Sequence, residues 1–388
     1  MRIVCPIIAI CLAVAGELPA ATYYVSPHGS DSNHGSFHSP FLTLSRAAQA
    51  AHAGDTVLVS NGTYGHENAV TGGDSADTNA SPVVLTRSGL PGAPITFKAE
   101  SRGGAILDCQ LICDSYFDLG NTSYIVIEDF VITRGYREAI HSNGSASFIT
   151  LRGNQIDYIA NRQSSVNYGL DGMYTSAACH DFVIDSNSFH DIGRTNPTNL
   201  DHGLYLQGWN FTVTNNIFYN LTRGWGIQMA NGLTNILVAN NTFAFIAPAD
   251  GGQIMMWNNE AQVTIRNNIF YQAQTAAIAV YQSSATACAV DHNLVSGSVP
   301  VIESANGCAI GTNLLGANPM FVNAAAYNFE LPASSPAAKA GVQIPGLTTD
   351  YNGALRPSSG GIAIGALEPA TTPVRQTPAL RTTRLPRK

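Results

Sequence analysis

The chain is short of charge and has almost no lysine. Charged residues are 12% of its 388 positions, and lysine stands only at Lys98, Lys339 and Lys388. A Gly-rich phosphate loop ending in lysine, an HExxH helix and a strand–helix nucleophile elbow are all missing. The commonest nucleotide-binding, zinc-peptidase and serine-hydrolase solutions are thereby excluded. Past the first twenty residues no apolar run is long enough to span a bilayer. The formal charge is −7, yet the last twenty residues hold Arg375, Arg381, Arg384, Arg387 and Lys388 and no acid, which leaves −12 on the rest. Such a body is a poor partner for nucleic acid. It also repels an anionic polymer unless a cation bridges the two.

What the chain does have is 45% apolar residues, which argues against disorder. Its opening "MRIVCPIIAICLAVAGELPA" carries a basic residue at Arg2 and an apolar run over residues 3–16. That is the pattern of a secretory signal peptide over residues 1–20, cut near Ala20 or Ala21, and the run is too short for a comfortable membrane anchor. Cys11 follows Ile10 rather than a small residue, which argues against a lipoprotein. An extracellular, cell-surface or periplasmic location is expected. Export favours disulfides, and Cys109–Cys113 and Cys288–Cys308 are the expected pairs, with Cys179 left over.

A repeat organises the middle of the chain. "IVIEDFVI", "ITLRGNQI", "FVIDSNSF", "FTVTNNIF", "ILVANNTF", "VTIRNNIF" and "CAVDHNLV" each place a polar pair between two short apolar-alternating strands. The second polar residue falls at Asp129, Asn154, Asn187, Asn216, Asn241, Asn268 and Asn293. This is a solenoid period with loops of variable length on one side. Asparagine tolerates left-handed backbone, so these positions are expected to bend the chain there and to stack as a hydrogen-bonded ladder. A third strand closes each coil, beginning "AIHS", "GMYT", "GLYL", "GIQM", "GGQI" and "AIAV".

With these three strands per coil, residues 116–315 resemble the right-handed parallel β-helix of the pectate-lyase-like superfamily. The fold class expected is all-β, a single-stranded solenoid over residues 21–368. The N-terminal "TYYVSPHGSDSNHGSFHSPFLTLSRAAQAAHAGDTVLVSNGTY" resembles the start of secreted β-helix proteins that include family 9-type pectate lyases. A short amphipathic helix over residues 44–52, stopped at Gly54, is expected to cap the open end. The stretch from "NPMFVN" to "IGALE" resembles a terminal segment of bacterial β-helix proteins and is expected to close the other end. Residues 369–388, rich in Pro, Thr and Arg, read as a disordered tail.

The superfamily resemblance implies an active site on the outer face of the third-strand sheet. The residues just before the third strands read Glu138, Asp171, His202, Trp225 and Asp250. The outward residues two positions into them read His141, Tyr174, Tyr205, Gln228 and Gln253, and Asp118 extends that column by one coil. "LDGMY" and "DHGLYLQG" resemble two motifs of the polygalacturonase family, which would make Asp171 a catalytic acid and His202 its supporting histidine. That family's additional aspartate coil and its Arg-x-Lys pair are absent.

A lyase must neutralise a uronate carboxylate, remove the α-proton and protonate the leaving oxygen. Glu138, Asp171 and Asp201 are candidate ligands for a Ca²⁺ that would do the first, since Ca²⁺ prefers carboxylate oxygen. Without a lysine on this face, Arg137 and Arg223 are candidates for base or carboxylate clamp. His141, Tyr174 and His202 are candidates for proton transfer, and Asp171 and Asp201 for acid–base work. Tyr205, Gln228, Trp225 and Gln253 would bind the sugar, while Trp209, Trp225 and Trp257 are sugar platforms or core. The expected function is a secreted, monomeric lyase cleaving a uronate-containing polysaccharide. The alternatives are an inverting hydrolase with Asp171 as acid and a non-catalytic glycan-binding surface protein.

Overall fold

The structure, a computed structural model, describes residues 19–65, 81–160, 169–194, 199–221, 223–246, 251–281 and 285–369. The expected signal peptide up to residue 18, the tail from residue 370, and Asp250 lie outside the described residues. Among the described residues no helix is long and apolar enough to cross a membrane.

Three parallel sheets of eleven, ten and eight strands run along the molecule, each adding one strand per coil. One coil shows the plan. Ser147–Arg152 lies in the first sheet, Gln155–Asp157 in the second and Met173–Thr175 in the third, after which His180–Asp185 re-enters the first. Alternation sets the inside. In the strand Ser123–Glu128, Ile125 and Ile127 are fully buried and lie in register with Ile149 and Leu151 of the next coil. Equivalent inward positions stack from coil to coil: Phe189, Phe218, Phe243 and Phe270 form a ring column with centroids 4.9, 4.8 and 5.1 Å apart.

The asparagine ladder is present, one column away from where the bend is made. Asn154, Asn187, Asn216, Asn241, Asn268 and Asn293 each donate their backbone N–H and side-chain Nδ2 to the Oδ1 of the next asparagine, at 2.8–3.1 Å. The last of these acceptors is Asn313, a rung the repeat alignment stops short of. The left-handed residues are the ones before: Asp129, Gly153, Ser186, Asn215, Asn240, Asn267 and His292, with φ between 54 and 69°. Asp129 therefore belongs to the bend and not to the ladder, where Phe130 stands and donates its N–H to Asn154 Oδ1. Two tasks, turning and pairing, fall to two adjacent residues because a left-handed residue aims its side chain outward. Asn216→Ala takes the acceptor from the buried Asn187 backbone N–H, whose side-chain Nδ2 keeps Leu151 O and Asp185 O, and should cost about 1–3 kcal/mol. Chemical denaturation measures this, and a loss no larger than that of a surface Asn→Ala would contradict it.

The helix Leu44–Ala50 starts at Thr43, whose side chain accepts from the Arg46 N–H, and ends two residues earlier than expected. Leu44 and Ala47 join the core beneath the first coil. The C-terminal segment lies along the side of the solenoid, where the sequence suggests a cover over its end. Phe329, Ala366 and Leu367 pack on Ile217 and Tyr219, and Leu331, Ala363 and Ile364 on Ile269 and Leu294. Outward positions of the second sheet are apolar in these coils and need that cover. The bend asparagines anchor the segment: Asn240 Nδ2 donates to Ala363 O at 2.8 Å, Asn267 Nδ2 to Val342 O at 2.7 Å, and Arg356 Nη2 to Asn215 Oδ1 at 2.7 Å. Both expected disulfides are present. Cys288–Cys308 joins strands of adjacent coils, and Cys179 is a buried thiol.

Candidate active-site groove

Third-sheet strands are three residues long in most coils, and their middle residue faces outward. Register places Asp118, His141, Tyr174, Tyr205, Gln228, Met255 and Ala279 in one outward column. Two residues before the strands, where the chain comes in from the loops, stand Glu138, Asp171, His202 and Trp225, none more than 4% exposed. The two columns floor a groove of about 640 Å³ whose lining also includes Arg137, Asn143, Asn199, Leu200, Trp257 and Tyr281.

The groove is charged at one end and aromatic at the other. Trp225 stacks on His202 with centroids 4.7 Å apart, and Trp257 packs on Tyr281 at 4.6 Å, beside Met255. At the charged end Arg137 Nη1 meets Asp114 Oδ2 at 3.1 Å and Nη2 meets Glu138 Oε1 at 3.6 Å. The other Glu138 oxygen lies 3.5 Å from His141 Nδ1. Burial pulls the imidazole pKa down, but the Glu138 carboxylate outweighs it, and His141 holds its proton above the ordinary histidine range. Its Nδ1 is buried on the Glu138 side, and His141 itself lines the groove. Burial raises the Asp114 carboxyl to about 6 despite Arg137.

Asp171 and His202 are tied to each other through the backbone. Asp171 Oδ1 accepts the His202 N–H at 2.9 Å. Burial, with the nearby Glu138 charge, drives the Asp171 carboxyl pKa well above the ordinary carboxylate range. His202 goes the other way. Burial pushes it down to about 3, its Nδ1 accepts the Trp225 N–H at 3.0 Å, and its remaining partner is the Gln228 side chain. It is a fixed neutral imidazole that ties three coils together, not a proton carrier. The Tyr174 ring lies between His141 at 5.4 Å and Tyr205 at 5.5 Å, and Gln207 Nε2 donates to its hydroxyl at 3.2 Å. Burial, with Asp171 and Tyr174 nearby, raises the Tyr205 hydroxyl pKa.

Three sequence-derived candidates fall outside the groove. Asp201 is fully buried behind it and bound by Arg194, with Nη2 at 2.6 Å from Oδ1 and the backbone N–H at 2.8 Å from Oδ2. Its neighbour His202 takes the groove side, so Asp201 is turned to the loop that carries Arg194. Arg223 lies over Gly193 and donates to Arg194 O at 3.2 Å. Gln253 is out of register by two residues. Met255 occupies its column, while Gln253 is buried and donates to Tyr271 O. Conversely, the sequence reading passes over Asp114, Met255 and Tyr281. Asp114 stands 23 residues before Arg137 and one coil back, where the Arg137 N–H bonds Asp114 O at 2.9 Å. A register-based alignment of the early, short-stranded coils is the signal that finds it.

The residues do not fit the expected Ca²⁺ site. Asp201 is removed by Arg194, and the remaining carboxylates Glu138 and Asp171 share their surroundings with Arg137 and His141. Among the described residues no three His, Cys, Asp or Glu side chains converge as metal ligands.

Residues 23–277 match the family described as the Pel9A-like right-handed β-helix region. The chain belongs to this family. Pectate lyase L of Dickeya chrysanthemi is 27% identical over 173 residues, covering 44% of this chain and 37% of that protein. The chain thus spans little more than a third of this curated relative. The crystal structure of pectate lyase Pel9A superposes with a TM-score of 0.56 at 16% identity, covering 92% of this chain and 98% of that one. The alginate lyase of Paenibacillus sp. str. FPU-7 superposes with a TM-score of 0.55 at 18% identity, over 76% and 95% of the two chains. At these identities the superpositions establish a shared fold.

Proposed function

We propose that this Pel9A-like chain is an exported polysaccharide lyase that cleaves a uronate-containing polymer lying along the groove. The observation that carries the reading is the Glu138–His141 pair, with Arg137 on one side and Tyr174 one coil away on the other. A carboxylate behind an imidazole fixes its orientation and stabilises the imidazolium that forms when it takes a proton. His141 removes the proton α to the uronate carboxylate. The electron pair becomes the new C4–C5 double bond, the C4–O bond breaks, and the leaving oxygen takes a proton from Tyr174. Arg137 faces the substrate carboxylate and offsets the charge that builds on it. Trp225, Trp257 and Tyr281 offer ring faces to sugars further along the chain. From His141 to Tyr281 is five coil steps, about 24 Å, so several sugar units fit. The named activities of the lyase relatives support the same reading.

A second reading is favoured by one observation: Asp171 is buried, and burial together with Glu138 raises its carboxyl pKa well above the ordinary range. A protonated carboxyl beside an ionised one is the arrangement of an inverting glycosidase. One assay separates the two. The purified chain is offered polygalacturonate, alginate and neutral polymers, and both unsaturated-uronate absorbance and new reducing ends are followed. The lyase reading expects both signals to rise together on a uronate polymer. Reducing ends without absorbance would replace it with hydrolysis through Asp171.

A further inference from the structure

We propose that the chain carries a second sugar-binding surface, for neutral polysaccharide, on the outer edge of the first sheet. It is formed by Tyr124, Phe148, His180 and Trp209. These rings stand on four successive coils. Tyr124 and Phe148 stack at 4.5 Å and 3°, His180 and Trp209 at 4.5 Å and 12°, and Phe148 meets His180 edge-on at 5.7 Å. The strip is about 14 Å long at coil spacing. Phe148 is 43% exposed and Trp209 39%.

Two independent features speak against simple structural filler. Two exposed rings, Phe148 and Trp209, joined through half-buried Tyr124 and His180 into one strip, are a surface a soluble protein tends to cover. Tyr124 and Phe148 also sit at φ 57 and 54°. The following coils fill that left-handed column with Asp181, Asn210, Asn235 and Gln262, all polar. Short polar residues adopt this backbone readily, whereas an aromatic residue there is a true outlier. The sequence accepts both strain and exposure at these positions, and backbone outliers of this kind gather where ligands bind.

The neighbours define the ligand. Asp181, Asn210 and Asn235 continue the line as a hydrogen-bonded polar ladder, with Asn210 Nδ2 at 3.2 Å from Asp181 Oδ1 and Asn235 Nδ2 at 2.8 Å from Asn210 Oδ1. Flat rings beside fixed amides match a pyranose, which has an apolar face and a rim of hydroxyls. The register fills the two columns of the strip with Ser, His, Trp, Thr, Ala, Tyr, Phe, Asp, Asn and Gln, and neither holds Arg or Lys. His180 is paired with Asp181 at 2.6 Å. A uronate carboxylate would find no counter-charge here and would face Asp181, whereas a neutral sugar meets no such penalty. The strip thus differs in ligand from the groove, and it does not rest on the reaction there.

Affinity electrophoresis tests this with the full chain carrying His141→Gln, so that polymers stay intact. Gels contain a neutral β-glucan, galactan or xylan, or polygalacturonate. At least one neutral polymer should retard the protein. Phe148→Ser with Trp209→Ser should weaken that binding about tenfold or more, and Trp209→Phe should keep most of it. Circular dichroism checks the fold, and Trp209→Ser alone serves if the double variant does not fold. Retardation by polygalacturonate should survive the double variant. Unchanged mobility in every neutral gel would overturn the proposal, as would equal retardation of variant and parent.

Discussion

Replacing His141 with glutamine should remove nearly all turnover, by at least about 10²-fold in kcat, with KM little changed, because a proton-transfer group acts on the transition state rather than on binding. The pH profile gives the sharper test. A base must be unprotonated to act, and the Glu138 carboxylate keeps His141 protonated above the ordinary histidine range. The rate should therefore fall as pH drops through that raised pKa and reach its plateau only on the alkaline side. Glu138→Gln removes the carboxylate that holds the proton, so the acidic limb should move to lower pH. Burial alone, which pulls the imidazole down, then acts unopposed. A limb that stays in place in Glu138→Gln would separate the two residues and remove the proposed base. Full activity in His141→Gln, with the same unsaturated product, would do so outright.

The largest stability effect should come from Asp201. Both members of the Asp201–Arg194 pair are completely buried. Taking away one partner leaves a charge in a low-dielectric interior, and Asp201→Ala should cost about 3–5 kcal/mol. Denaturant unfolding of the disulfide-intact protein measures it. Replacing the pair together, Asp201→Leu with Arg194→Met, should recover much of that loss, because the cost belongs to the orphaned guanidinium and not to the missing attraction. The same variants test the position once expected to hold Ca²⁺. If added Ca²⁺ stabilises the parent and the Asp201 variants lose that gain, Asp201 is a metal ligand and the structural assignment fails.

His202 shows how far local sequence carries. "LDHGLYLQG" places an acid and a histidine side by side, and the sequence reading gives both a role in chemistry: His202 as the supporting histidine of a polygalacturonase-like pair, Asp201 as a Ca²⁺ ligand or acid–base group. The structure divides them. Asp201 turns away to Arg194, and His202 stays in the groove as a neutral imidazole locked by the Trp225 N–H. Neither fact is legible from the pair itself. Each depends on which side of one backbone turn a side chain leaves, and on where an arginine seven residues earlier in the same connection folds back. Gln253 fails for a related reason. Aligning strand starts by eye slips by two residues where "GGQI" replaces the usual single glycine.

The sequence alone determined the solenoid. A period near 25 residues, strand alternation and a recurring asparagine suffice, because every coil solves the same local problem and its neighbours repeat the answer. It also determined the face that carries the candidate groove: Glu138, His141, Asp171, Tyr174 and Tyr205 line it together, as the register implies. Tertiary structure decided in which direction the acidity of the buried groups is shifted. Asp171 and His202 come from adjacent coils with similar surroundings, yet burial drives the pKa of one up and of the other down. Burial penalises whichever form is charged, and the depth of a side chain in a packed wall is a property of all the coils and loops around it, not of the residues that flank it in the chain.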